Sequence, residues 1–190
     1  MTGYIKKENL IAGLIVAFFT FFIALLVSLG SEALVRVVNS IIVAIILLLI
    51  IILLGIFFDI IGTAATAANL PPFNARAAKK VFGAKQAVKI IRNNDLMANF
   101  CNDVIGDIAG TLSGAIGAGI IVSLSNRLVF VDLILGGAVM TSLIAALTVG
   151  GKAVGKGVAV NNANTIIFRV AVFMAWWENV TGIEVFKNRR

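Results

Sequence analysis

The residues best able to do chemistry in this 190-residue chain are a few acids set inside apolar runs. Asp103 and Asp107 stand four apart, so on a regular helix they share one face, about one turn from each other. Asn99 lies a further turn back on that face. Two carboxylates that close in a low dielectric repel, so one takes a proton or a cation sits between them. Oxygen ligands without thiolate or imidazole suit Mg2+, Ca2+, Mn2+ or Na+ rather than zinc or copper. The competing structural reading has the acids protonated or bonded to hydroxyls such as Thr63 or Thr141. Asp59 opens a segment of small and hydroxyl residues, Asp59 to Asn69, that includes Thr63 and Thr66. It is a further candidate ligand, or a marker of the membrane surface. Asp132 is expected near the opposite surface.

These acids are costly because of what surrounds them. The chain is 60% hydrophobic and 13% charged, with a mean hydropathy of +1.04. An ordinary soluble domain is about half apolar and about a quarter charged. The composition therefore points to an all-α integral membrane protein, and an ionisable group within a span is by default a candidate functional site. With no His, His-ligated metals and His-based triads are excluded. With a single Cys, Cys101, an internal disulfide is excluded. A dyad of catalytic acids needs carboxylates from facing helices, whereas this pair lies on one, so no enzymatic activity is expected.

Four spans are expected to position the acids, at about 10–29, 37–66, 96–124 and 128–149, each near the roughly 20 residues a crossing needs. The first follows Lys6 and Lys7 and is read as a retained span, being long for a signal peptide. A helix over 37–68 would be about 50 Å long, so it tilts, breaks near Gly62 or projects from the bilayer. Pro71 and Pro72 end it. Residues 71–94 hold Arg76, Lys79, Lys80, Lys85, Lys89 and Arg92 and no acid. Phe73, Ala77 and Val81, then Ala84, Val88 and Ile91, recur at helical spacing on either side of Gly83. One or two basic amphipathic juxtamembrane helices are expected, lying on the bilayer surface. Residues 165–186, with Trp176, Trp177, Glu178 and Glu184, read as a C-terminal interfacial helix.

The net charge of +7 is then a topology signal and not a nucleic-acid patch. With both termini cytoplasmic, every Lys and Arg except Arg36 and Arg127 falls inside. That is the pattern of a multi-pass protein of the cell (inner) membrane whose first partner is the lipid bilayer.

Gly106, Gly110 and Gly114 repeat every four residues, with Ala118 next in step. Such a ladder allows close helix packing. By angle it lies beside Asp103 and Asp107, so the acids are expected to face protein. The run Gly150 to Gly157 matches no phosphate-loop pattern. It is expected to break the fourth span, with Lys152 and Lys156 as inner-surface anchors.

The order of these parts resembles the transmembrane domain of the CNNM/CorC family of magnesium transporters. Thr63-Ala64 looks like that family's Glu-Thr-Ala element, with Gly62 in the place of the Glu. Asp103 and Asp107 look like its Asn-x-x-x-Asn pair, with carboxylates for amides. Gly151-Lys-Ala-Val-Gly-Lys156 looks like its Gly-Glu-x-x-Pro-Lys element, with Lys152 for Glu and Gly155 for Pro. The resemblance covers about residues 37–175. It implies transport of a divalent cation, Mg2+ first, with Mn2+, Co2+ or Na+ as alternatives. It also implies a homodimer. The family's cytoplasmic CBS domains are not among these residues, so a separate cytoplasmic regulatory partner is expected. The implied ligands are Asp103, Asp107, Asn99, Thr63, Thr66 and Asp59. The alternative is a non-transporting assembly or regulatory subunit built on the same fold.

Overall fold

The computed structural model describes residues 7–37, 40–128, 132–182 and 184. The expected basic flanks at Lys6 and at Lys187, Arg189 and Arg190 lie outside the described residues, as do 185–186 of the expected interfacial segment. Among the described residues all regular structure is helical: α1 (Lys7–Val37), α2 (Ile41–Ala67), α3 (Leu70–Ala78), α4 (Ala84–Arg92), α5 (Asn94–Asn99), a π-turn (Phe100–Ile105), α6 (Gly106–Arg127), α7 (Leu133–Asn161) and α8 (Ala163–Thr181).

Three helices are long and apolar enough to cross a bilayer: Ile41–Ala67, the continuous run Asn94–Arg127, and Leu133–Asn161. Within α1 the apolar stretch Gly13–Leu26 is shorter. The outward surfaces of α2 and α7 carry exposed Ile42, Ile46, Leu49, Leu53, Val139, Leu143 and Leu147. Such a belt is stable against acyl chains and not against water.

The packing register gives the directions. Gly55 of α2 meets Ala109 and Gly62 meets Asn102, so α2 and the third span run antiparallel. Gly151 meets Ile56 and Gly155 meets Ile60, so α2 and α7 run parallel. Gly117 receives Ile144 and Met140 of the antiparallel α7. The contact between α2 and α7 is the most extensive in the molecule, followed by that of α2 with α6, so α2 is the central helix. α1 packs against α6.

α2 is unbroken through Gly62 and ends at Ala68, whose N–H donates to the Ala64 carbonyl. The prolines then fall in the first turn of α3, where a missing N–H costs nothing. α7 corrects an expectation. It continues through Gly150–Gly157 as one helix to Asn161. A glycine in a helix is destabilising by about 1 kcal/mol, which close packing offsets here. Gly151 and Gly155, one turn apart, seat Ile56 and Ile60 of α2, and Ala159, a turn further on, is fully buried. Glycine at these positions is a groove for α2 and not a break. At the other end of α7, Asp132 is its N-cap: its carboxylate accepts from the N–H groups of Ile134 (2.9 Å) and Leu135 (2.8 Å). Such a cap stabilises a helix by about 1 kcal/mol.

The short basic helices α3 and α4 meet at a turn containing Lys80 (φ 56°) and Gly83 (φ 81°). α4 and α8 pack together, and α8 also touches α2. Gln86 of α4 donates to Glu178 of α8 (2.9 Å), and Lys89 pairs with Glu184 (3.1 Å). One acid of the C-terminal segment thus meets an amide of α4 and the other a cation.

The interior has two apolar cores. The one nearer the basic helices joins Ala64, Ala65, Phe73, Ala87, Ile90, Ala159, Ala163, Ile167 and Ala171. The far one joins Ala44, Leu48, Ile52, Ile116, Ile120 and Ile144. Along α2 the sequence passes from the far core through Asp59 to the near core. Along α7 it passes through Thr148 and Lys152.

Candidate functional site

That intervening layer is polar. Asp59 is buried, 4% exposed, and is the one buried acid among the described residues. Lys152 faces it from α7 with its ammonium 3.8 Å from Oδ1 of Asp59, an ion-pair distance too long for a hydrogen bond. The levels match because the helix ends match. Asp59 lies about 12 Å from the Ala67 end of α2, Asn102 about 12 Å from the start of α5, and Lys152 about 14 Å from the end of α7, at ~1.5 Å per residue.

Three oxygens are buried with no hydrogen-bond partner among the described residues: Oδ2 of Asp59, Oδ1 of Asn102 and Oγ1 of Thr148. Each comes from a different helical segment. Leaving such a group unpaired costs about 1–3 kcal/mol, so each needs a reason. Thr148 precedes Lys152 by one turn on α7, and the register that seats Gly151 on Ile56 sets it about two turns from Asp59, toward the far core. Asn102 lies over Gly62, where a Cβ would collide with its amide oxygen. Gly62 is itself one turn from Asp59. Opposite, the Lys152 ammonium lies 3.4 Å from where a Gly106 Cβ would be. Two glycines therefore make room for the polar groups, one under the amide and one beside the ammonium.

The six residues singled out from sequence separate here. Asp59 is buried in the polar layer. Thr63 is half-buried, and its carbonyl accepts the hydroxyl of exposed Thr66 at 2.9 Å. Asn99, Asp103 and Asp107 are exposed on the outside of the helix bundle. The expectation that the acid pair faces protein within this chain is thereby corrected. The face of α6 that packs on α2 and α7 is centred on Ala109, Leu112, Ile116 and Ile120, and Asp107, two residues before Ala109, is turned about 160° away from it. The ladder is corrected with it, since Gly110 and Gly114 fall at the flank of that face. A Cβ at Gly106 would approach Lys152, but at Gly110 and Gly114 it would meet nothing within 4 Å.

Asn102, Thr148 and Lys152 were not among the sequence candidates for ligands. Asn102 adjoins Asp103, and the roughly 100° between successive helical residues turns one inward and the other out. Lys152 stands in a glycine run that reads as a break. Among the described residues no three His, Cys, Asp or Glu side chains converge, so a cation held here draws on an amide oxygen beside one carboxylate.

No family model, curated protein or solved structure matches the chain.

Proposed function

We propose that this chain is a multi-pass protein of the cell membrane that transports a cation, with the polar layer between its two cores as the binding site. The observation that carries this reading is the pair of unpartnered oxygens on Asp59 and Asn102, set inside a bundle of candidate spans. Hard oxygen donors of this kind suit Mg2+ and Na+. The resemblance to the CNNM/CorC transporters makes Mg2+ the first ion to test, with Mn2+ and Co2+ after it. The proposed ligands are Asp59 and Asn102. α1 supplies the fourth span, and both termini are cytoplasmic, beside the basic helices α3 and α4. No catalytic role is proposed.

Asp103 and Asp107 take a different part in this reading. Asp107 is about 20 Å along its helix from Asn94, and a carboxylate facing acyl chains at that depth is costly. A second copy of the chain, packed on the face that carries Asp103, Asp107, Gly110 and Gly114, would cover them. The same exposed face favours the alternative, a non-transporting assembly or regulatory subunit, because open glycines are suited to another helix.

Flux in proteoliposomes with an entrapped Mg2+ indicator separates the two. Transport by the wild type, abolished by Asp59→Asn and by Asn102→Leu in protein that elutes as the wild type does, supports the site. Flux unchanged by both substitutions but lost in Asp103→Asn/Asp107→Asn would move the site to the outer face. A silent wild type, with unchanged oligomers, would favour the subunit.

A further inference from the structure

Lys152 raises a problem for any cation site in this layer, because a cation is already there. Its ammonium pairs with Asp59, and the one buried acid is balanced by the one ammonium. A mobile cation cannot share Asp59 with it without placing two positive charges within one turn of helix. Yet the balance is incomplete. The ammonium reaches only Oδ1 of the carboxylate, at 3.8 Å, while Oδ2 stays unpartnered, as does the amide oxygen of Asn102, which lies over Gly62 one turn from Asp59. The polar layer holds more acceptors than the ion pair uses.

The groups facing Lys152 come from every helix packed on it. α2 contributes Asp59. The third span contributes Asn102, Gly106 and the carbonyl of Cys101, which lies beside the same empty Cβ position as the ammonium. Oxygens dominate this list, and Asp59 is its one acid. The Lys152 side chain is 24% exposed, so it is not locked in place. Its four-carbon stem allows the charge to swing toward the surface while the methylenes stay in apolar contact.

We infer that Lys152 is a tethered occupant of the cation site: its ammonium holds the place of a hard inorganic cation, Na+ or Mg2+, which binds Asp59 and Asn102 when the side chain swings out. This inference rests on the cation-site reading above. It adds that the resting protein is self-blocked and binds its ion weakly. Entry of the ion requires an outward movement of Lys152, so occupancy and the position of α7's side chain are exclusive alternatives.

The experiment is a thermal-stability titration of the full chain in detergent. MgCl2 and NaCl are the probes, and tetramethylammonium chloride at matched ionic strength controls for screening. Lys152→Met keeps the stem and removes the charge, leaving Asp59 without its partner. The expected result is a variant less stable than the wild type in the control salt, with a melting temperature raised by Mg2+ or Na+. The wild type should respond little. Asp59→Asn/Lys152→Met should lose the response, because the carboxylate is gone. Recovery of folded Lys152→Met only when Mg2+ or Na+ is present throughout purification would be the same result.

Equal responses in wild type and Lys152→Met would overturn the tethered-occupant inference and leave the cation site standing. No response in either would sink both. If Lys152→Met and Lys152→Gln fail to fold in every salt while the double variant folds, a free cation does not replace the ammonium, and the inference is wrong.

Discussion

Gly83→Ala is the most discriminating test of how the basic helices are held. Gly83 has φ +81°, a left-handed conformation that costs a side-chain-bearing residue roughly 1–2 kcal/mol. It also abuts α8: an added Cβ would lie 2.8 Å from Cγ2 of Val172, 2.9 Å from its Cα and 3.0 Å from its N. The methyl could rotate away, but the backbone atoms cannot move without undocking α8 from α4. Overpacking of this kind costs about 1–3 kcal/mol. Against this, alanine restricts the unfolded chain and returns roughly 0.4–1 kcal/mol. The net loss is about 2–4 kcal/mol, a fall in melting temperature on the order of 10 °C for a chain of this size. Gly182→Ala is the internal control. Gly182 has φ +71° but nothing within 4 Å of its Cβ position, so it carries the strain without the collision and should lose about 1 kcal/mol or less. Thermal melts of both variants in one detergent decide the matter. Adding Val172→Ala should recover little, because the Cα and N contacts remain. Equal losses at Gly83 and Gly182, or full recovery by Val172→Ala, would refute the claim that α8 backbone lies against Gly83.

Other outcomes follow from the same contacts. Gly155→Ala should destabilise by about 1–3 kcal/mol in a chemical melt, since its Cβ would lie 2.8 Å from Ile60, whereas Gly150→Ala meets nothing and should be neutral or slightly stabilising. Phe73→Ala should cost about 3–5 kcal/mol by the same measurement. Its ring is 1% exposed and stacks 6.5 Å from that of Phe168, which in turn carries the Arg76 guanidinium 4.4 Å from its centroid. In intact cells a membrane-impermeant maleimide should label Ser125→Cys and not Lys85→Cys, with Lys85→Cys reacting after permeabilisation. The buried Cys101 should stay silent in both cases, and the reverse pattern would invert the topology.

How much of this was legible in the sequence differs from element to element. The helical class follows from uncharged apolar runs, and the turn between α3 and α4 from Gly83 amid basic residues. What composition could not convey was which glycines are filled. Gly110 and Gly114 read as a packing ladder yet are open, while Gly151 and Gly155 read as a break yet seat Ile56 and Ile60. Small residues say that something can approach closely, and only the partner's register says whether it does. The site was missed for a related reason. The wheel took the ladder glycines as the packed face with Asp103 and Asp107 beside them, whereas α6 packs through Ala109, Ile116 and Ile120. Asp59 was a candidate because a buried acid is conspicuous in any apolar run. Its partner Lys152 was not, because surface lysines are common near the ends of spans.

The π-turn has one more consequence. It holds one surplus residue of chain, and a helix can pass such a surplus along without breaking, as a dislocation passes through a crystal. Movement of the defect by a full turn leaves the segment behind it advanced by one residue, about 1.5 Å along the axis and 100° around it. The residue beside Gly62 is now Asn102, and the next in line is Asp103. A step in that direction would set a carboxylate in place of an amide beside Gly62.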